Sequence, residues 1–263
     1  MTAAVTSPVD IVERLPGTPL VIMLDVDGTL CDIVERPEDA RVPEATREQL
    51  ARLARRPGVC MAIVTGRSAA DAHQMVGVRG IHISANHGLE NWGADGVERI
   101  TPGWERVARS VRAAVADLAR IPHDFPGASI EDKEFTLSVH FRHVDPDVVP
   151  ALQNAVTAIA ESHALRMTAG KAVINLLPPL DVNKGHAVLA LMHECGGDAP
   201  GASILFAGDD VTDEDAFRAL AAHAPRAVTI RVGDDTMPTA AAFRVPTPRA
   251  LTDILERLER ERP

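Results

Sequence analysis

Asp25, Asp27, Thr65, Lys184 and Asp209 are the residues of this chain whose types and settings could do chemistry. Asp25 and Asp27 close the stretch VIMLDVDGTL, in which an apolar run leads straight into two carboxylates and then into Gly28 and Thr29. Two carboxylates at the end of a buried strand are expensive unless something compensates them. Thr65-Gly66-Arg67 ends a second apolar run, and Gly208-Asp209-Asp210-Val211-Thr212-Asp213 ends a third. Each alone has an ordinary explanation: a surface D-x-D pair, a helix start, a turn with its N-cap, a solvated lysine. At the tips of adjacent parallel strands, the ordinary explanation would have to hold four times over.

Together these residues describe one kind of chemistry. Asp25 and Asp209 can share a hard cation through oxygen ligands, and Mg2+ suits a site that offers one or two carboxylates beside a substrate phosphate. Thr65, Lys184 and backbone N–H groups of the turn at 26–29 are the expected phosphate donors. One carboxylate can attack phosphorus. A second, two residues on, can protonate the leaving alcohol and then activate water. Phosphoryl transfer otherwise needs mainly positioning and charge neutralisation.

The elements that must carry these residues can be read from apolar periodicity. Residues 20–25, 59–64 and 81–85 read as short buried strands, with helices over 44–54 and 68–76, the latter starting at a Ser cap. That alternation predicts a parallel sheet with crossover helices. The middle changes character. A helix over 104–120 precedes two strands, ASIEDK and EFTLSVHFR, and a helix over 147–163 precedes two more at 165–169 and 172–177. Phe135, Leu137, Val139 and Phe141 alternate with polar neighbours, which predicts one wet face. After LPPLDVNKG the first pattern returns, with a helix from about 184, a strand at 202–208, a helix from 213 and a strand at 227–232. A last helix carries Leu251, Ile254, Leu255 and Leu258 on one stripe. The fold expected is α/β: a doubly wound parallel-sheet core over 1–101 and 180–263, and an inserted α+β cap of two helix-strand-strand units over 102–179. Ligands in such sheets lie beyond the carboxyl ends of the strands, and clefts form between domains.

Composition narrows the function. The 263 residues are 46% hydrophobic and 3% aromatic, so the core is built of Ala, Val, Leu and Ile. A net charge of -10 argues against non-specific nucleic-acid binding and anionic membrane surfaces. No run approaches the ~18 apolar residues of a membrane helix, and the acidic N-terminus is no secretory signal. Cys31, Cys60 and Cys195 are odd in number and far apart, with no zinc spacing, and so read as reduced thiols of a cytoplasmic protein.

DVDGTL, TGR, the lysine at 184 and GDDVTDED resemble, in order, the four motifs of the haloacid dehalogenase-like phosphatases. The resemblance covers the whole Rossmann-like core. It implies that Asp25 is the nucleophile and Asp27 the general acid/base, with the Asp27 carbonyl also on Mg2+. It implies that Thr65 and Lys184 hold the phosphoryl group, that Asp209 ligates the metal, and that Asp210 and Asp213 support it. More finely, GDDVTDEDAF, NHGLE, EDKEFTLSVHFR and GKAVINLLPPLDVNKG resemble segments of the trehalose-6-phosphate phosphatases. That resemblance implies a sugar phosphate as the small-molecule partner. Its candidate contacts are Gly28, Thr29, Gly66 and Arg67 in the core motifs, His87 and Glu90 after them, and Glu131, Lys133, Arg142, Lys171 and Asn175 in the cap. Asn175 stands where that family usually has a glutamate, so a phosphatase for sucrose phosphate or a glycosylglycerol phosphate is the rival expectation. A sugar phosphomutase, using Lys133, Arg142 and Lys171 for a second phosphate, comes behind it.

Overall fold

Alternation along the buried strands decides how the core is layered. Val21 and Met23 face one side of their strand and Leu20, Ile22 and Leu24 the other, and every one of the five is inaccessible to solvent. A strand buried on both faces needs helices on both faces. The structure, a computed structural model, describes residues 4–5, 8–34, 36–170, 172–233 and 237–261. The chain forms two units, Met1–Arg99 with Val182–Pro263, and Ile100–Asp181.

The strands in chain order begin with β1 (Ala4–Val5), β2 (Leu20–Leu24), β3 (Val59–Val64), β4 (His82–Ala85), β5 (Glu90–Trp92) and β6 (Glu98–Ile100). Then come β7 (Ser129–Asp132), β8 (Leu137–His140), β9 (Arg166–Gly170) and β10 (Val173–Leu177), and finally β11 (Ser203–Gly208), β12 (Val228–Val232) and β13 (Phe243–Val245). The large sheet has the order β1-β13-β12-β11-β2-β3-β4-β5-β6. It is parallel from β1 through β4 and antiparallel where β5 joins β4. From β2 the chain winds outward to β3 and β4. After its return it winds the other way, from β11 to β13. The strand order therefore reverses beside β2, where a doubly wound sheet opens its ligand crevice.

The helices are α1 (Pro8–Val12), α2 (Glu44–Ala54), α3 (Ala69–Val76), α4 (Trp104–Leu118), α5 (Ile121–Asp124), α6 (Val149–Ser162), α7 (Lys184–Glu194), α8 (Asp213–His223) and α9 (Pro248–Glu261). One face of the sheet is covered by α1, α2, α3 and α9, the other by α7 and α8. In α9, Leu251, Ile254, Leu255 and Leu258 are fully buried, each stabilising the fold by roughly 1.5–3 kcal/mol. The Ser68 side chain accepts from the Asp71 N–H at 3.2 Å to start α3, and Gly77 ends it in the left-handed region at φ 63°.

The second unit contains α4, α5, α6 and an antiparallel sheet in the order β7-β8-β10-β9. Trp104, Ala108, Val111, Ala114 and Leu118 form the buried stripe of α4, and Trp104 stacks on Phe135 at 4.5 Å.

Several expectations need correction. The polar face along residues 136–142 is wet only at one end: Thr136, just before β8, and Ser138 are buried, and the Ser138 hydroxyl donates to Asn175 Oδ1 at 2.7 Å on the paired strand, whereas His140 is half-buried and Arg142 exposed. Period-two alternation shows which residues share a face, not what covers it. The β5 and β6 strands and the short β13 were not read from the sequence. The cysteines are not three thiols. Cys60 in β3 and Cys195 at the end of α7 are 135 residues apart, yet the packing of α7 on the sheet brings their Cα atoms to 5.8 Å, and a disulfide joins them. Cys31 alone is free and buried. No helix of the described residues is long and apolar enough to cross a membrane.

Candidate active site

Register places the chemistry-bearing residues side by side. Leu24 pairs with Ile63 on β3 and with Ala207 on β11. The Asp25 N–H then donates to the Ala207 carbonyl at 3.0 Å, and the residues after all three strands leave the sheet together. Asp25, Asp209 and Asp213 are all buried, and each offers a carboxylate oxygen within 4.8 Å of those of the other two. Lys184, the first residue of α7 and only 3% exposed, donates to Asp25 Oδ1 at 2.8 Å and Asp213 Oδ1 at 2.7 Å.

Asp213 starts α8, and its other oxygen accepts the N–H groups of Asp209 at 3.0 Å and Asp210 at 2.9 Å. It thus folds the GDDVTD turn back on itself and braces the carboxylate cluster, with one oxygen on Lys184 and the other on two backbone amides. The available signal was its spacing: an acid four residues after Asp209, at a helix start, can reach back to the preceding amides. Asp210 lies beside the cluster, its carboxylate accepting from the Val211 N–H at 2.7 Å.

The electrostatics follow from burial. Desolvation, helped by the Asp213 and Asp209 charges, raises the Asp25 pKa well above the usual carboxylate range against the pull of Lys184. Burial alone would lower the Lys184 pKa, but Asp213 and Asp25 outweigh it and hold the ammonium charged far into alkali. Three acids face one ammonium. An all-oxygen cluster of this kind fits a hard divalent cation.

Glycine makes room for this crowding. Gly28 has φ +74°, and a Cβ there would lie 2.1 Å from Asp209 Oδ2. A Cβ on Gly208 would lie 2.3 Å from Asp213 Cγ. The expected donor role of Gly28 and Thr29 is corrected: their N–H groups bond inside the loop, to Cys31 O at 2.8 Å and Val26 O at 3.3 Å. Thr29 is fully buried, and its hydroxyl has no partner among the described residues.

Asp27 is partly exposed and is gripped by Arg67, Nε to Oδ2 at 2.6 Å and Nη2 to Oδ1 at 2.7 Å. A two-pronged guanidinium fixes the orientation of a carboxylate as well as its charge. In this arrangement Arg67 therefore serves Asp27, where the sequence suggested substrate. The Thr65 hydroxyl, buried beyond β3, accepts from the Arg67 N–H at 3.2 Å. Gly66 lets the His87 ring lie close, since a Cβ would be 2.5 Å from its Cε1. Glu90 departs from its expected contact with sugar. Its Oε2 accepts from the Ala69 N–H at the start of α3 and from Asn86 Nδ2, both at 3.0 Å. Buried and doubly bonded, it shapes the left-handed Asn86-His87 corner.

In the second unit, Glu131 on β7 binds the His140 ring at 2.8 Å and lies 3.6 Å from Lys133 Nζ. Asn175 is buried against Ser138. Arg142 is exposed just past β8. Lys171 lies outside the described residues.

Comparison with known proteins converges on one group. The trehalose-phosphatase family model matches residues 23–249. The trehalose-phosphate phosphatase of Mycobacterium tuberculosis (strain ATCC 25618 / H37Rv) is 35% identical over 253 residues, covering 95% of this chain and 63% of its own length. That of Mycobacterium leprae (strain TN) is 36% identical over 261 residues, covering 96% and 59%. The chain thus spans only 63% and 59% of the length of these curated relatives. A crystal structure of a trehalose-6-phosphate phosphatase related protein superposes with TM-score 0.80 at 29% identity, over 92% of this chain and 97% of that one. The C-terminal domain of Candida albicans trehalose-6-phosphate phosphatase shares the fold, with TM-score 0.80 at 23% identity over 98% of each chain.

Proposed function

The chain belongs to the trehalose-phosphatase family, and we propose that it is a Mg2+-dependent phosphatase that releases phosphate from trehalose 6-phosphate. The observation that carries the chemistry is the buried cluster of Asp25, Asp209 and Asp213 around Lys184. The observation that carries the substrate class is the family match together with the named relatives.

In this reading an Asp25 oxygen attacks phosphorus and displaces the sugar oxygen, leaving an aspartyl-phosphate. Asp27 gives its proton to the departing oxygen. It then takes a proton from a water that attacks the same phosphorus, which restores Asp25 and frees phosphate. Arg67 holds Asp27 by two bonds at rest, so turnover has Asp27 exchange one of them for the substrate oxygen. Lys184 offsets negative charge on the phosphoryl oxygens, and the Thr65 hydroxyl supports them. Asp25, Asp209 and the Asp27 carbonyl would hold the Mg2+, with Asp213 beside them, and the ion would neutralise charge on both carboxylates and phosphate. Sugar selection is assigned to the second unit, with Glu131 and Lys133 its leading residues.

The test is phosphate release from a panel containing trehalose 6-phosphate, sucrose 6-phosphate, a glucosylglycerol phosphate and p-nitrophenyl phosphate, with Mg2+ or with excess chelator. The expected result is preference for trehalose 6-phosphate, with turnover abolished by chelator and restored by Mg2+. Full turnover in chelator would overturn the metal assignment. A better rate on sucrose 6-phosphate or the glucosylglycerol ester would move the substrate to the rival sugar phosphates, in line with Asn175 in place of a glutamate.

A further inference from the structure

At the amino ends of β3 and β4, the two strands that follow β2 in the sheet, a second set of metal-ligating side chains comes together. Cys60 is the second residue of β3, His82 the first of β4, and Cys195 the residue that caps α7. Two sulfurs and a ring nitrogen lie within 4.8 Å of one another. Both cysteines are half-buried, whereas His82 is 9% exposed. Its Nδ1 is buried and has no hydrogen-bond partner among the described residues; Glu194 Oε1, next to Cys195, stands 3.6 Å away. Leaving such a nitrogen unsatisfied costs roughly 1–3 kcal/mol. The disulfide accounts for the sulfurs and leaves the imidazole without a purpose.

We propose that the reduced protein binds a divalent cation of the zinc class on Cys60, Cys195 and His82, with Glu194 in reach for the fourth position. Two thiolates and an imidazole are the donors that such ions take in tetrahedral sites. The Cα separation of 5.8 Å suits two cysteines that share either a covalent bond or one ion. The disulfide and the metal site are then alternative states of one cluster. Loading requires a dithiol reductant. The Cys60–Cys195 bond breaks, the reductant closes to its own disulfide, and its two hydrogens pass to the cysteine sulfurs. Binding of the cation then releases those two protons to solvent. Either state ties β3 to the far end of α7, and the metal adds β4. The cluster is distinct from the Asp25, Asp209 and Asp213 site, since the first offers sulfur and nitrogen and the second only oxygen.

The experiment is a cobalt titration of the full chain, reduced with a dithiol and desalted without oxygen. Co2+ on thiolates gives an intense sulfur-to-metal band in the near ultraviolet, which a carboxylate-bound ion cannot produce. The expected result is a band that saturates at one Co2+ per chain, is displaced by Zn2+, and is absent from the oxidised protein. Cys60→Ser abolishes it and Cys31→Ser leaves it intact. His82→Ala weakens cobalt binding roughly 100-fold or more, at least what the loss of even an outer partner of a ligand costs. A reduced wild-type protein that shows no such band would overturn the proposal. So would a His82→Ala variant with unchanged affinity, and that comparison needs no cysteine variant to fold.

Discussion

Among the described residues, Lys184 and Lys133 each meet carboxylates, under different conditions. In the first unit Lys184 is 3% exposed and wedged between Asp25 and Asp213 at 2.8 and 2.7 Å. In the second, Lys133 lies 3.6 Å from a Glu131 side chain that is 30% exposed and also bonded to His140. The first arrangement is rigid, desolvated and unbalanced toward negative charge, and it is sustained by glycines that let backbone and carboxylates crowd together. The second is looser: the Lys133 side chain is 10% exposed, its ammonium stands farther from the carboxylate, and Glu131 divides its charge between Lys133 and His140. A site that must stabilise a reacting phosphoryl group gains from fixed charges. A site that must recognise sugar hydroxyls gains from groups that water can replace.

The contrast can be broken most directly at Asp25. Asp25→Asn is expected to reduce phosphate release by roughly 10^4-fold or more, in the range seen when other covalent nucleophiles are removed. The Tm of the metal-free variant should hold or rise. Asp25 has a raised pKa in the folded state, so the folded chain binds its proton more tightly than the unfolded chain does. Stability therefore falls as pH climbs from the ordinary carboxylate range through the raised value, and the amide removes that fall. Rates and melting curves across pH in chelator check both halves. An active Asp25→Asn would end the covalent mechanism.

Lys184→Ala should also lose turnover, but its distinctive effect is on stability. It leaves buried carboxylates without their ammonium, a loss of about 3–5 kcal/mol. The stability supplied by Lys184 is fully present below the ordinary lysine pKa and is lost only in strong alkali. Denaturant unfolding at neutral pH reads the difference. Lys133→Ala should cost less stability, since its carboxylate partner is 30% exposed and keeps His140. A Lys184→Ala variant as stable as wild type would erase the distinction between the two lysines.

Lys133→Ala sharpens the comparison from the other side. Losing a charged donor to a sugar hydroxyl costs roughly 1.5–3 kcal/mol, about tenfold to a hundredfold or somewhat more in kcat/KM on trehalose 6-phosphate. Turnover of p-nitrophenyl phosphate should change little. Equal losses on both esters would withdraw sugar recognition from the second unit.

The smallest effect concerns Cys31, on the loop that follows Asp27. Burial, with Asp27 close by, pushes its thiol up to about 12. The native oxidised protein should therefore react only slowly with an alkylating reagent at pH 8, and quickly once denatured. Rapid native labelling would show that the loop after Asp25 is more open than the cluster it borders.

The core was legible in the sequence because its signals are local. Apolar runs ending in Asp25, Thr65 and Asp209 state both the strand and its tip, and Ser68 states where a helix begins. What was misread depends on the third dimension. Cys60 and Cys195 lie 135 residues apart, and nothing in their flanks says that α7 ends over β3. Glu90 and Arg67 have the residue types of ligand contacts, but their partners are Asn86, Ala69 and Asp27, and type alone cannot choose between inside and outside. Ser138 was assigned to water because alternation is silent about cover. The partners of Asp213, Lys184 and two backbone amides, were not read because the backward reach of a helix-starting acid is a matter of turn geometry.

Lys184 also has a place in the periodicity of its own helix. It is buried in company with Ala187, Val188 and Leu191, at spacings of three, four and seven, so the ammonium occupies the first position of the stripe that faces the sheet. An α-helix turns about 100° per residue. One residue inserted or deleted between Lys184 and Ala187 would swing the charge off the core face, and lysine length cannot recover a rotation of that size through packed neighbours. Length variation is therefore forbidden in this first turn. Lys184 is held in phase by the same apolar residues that hold the helix.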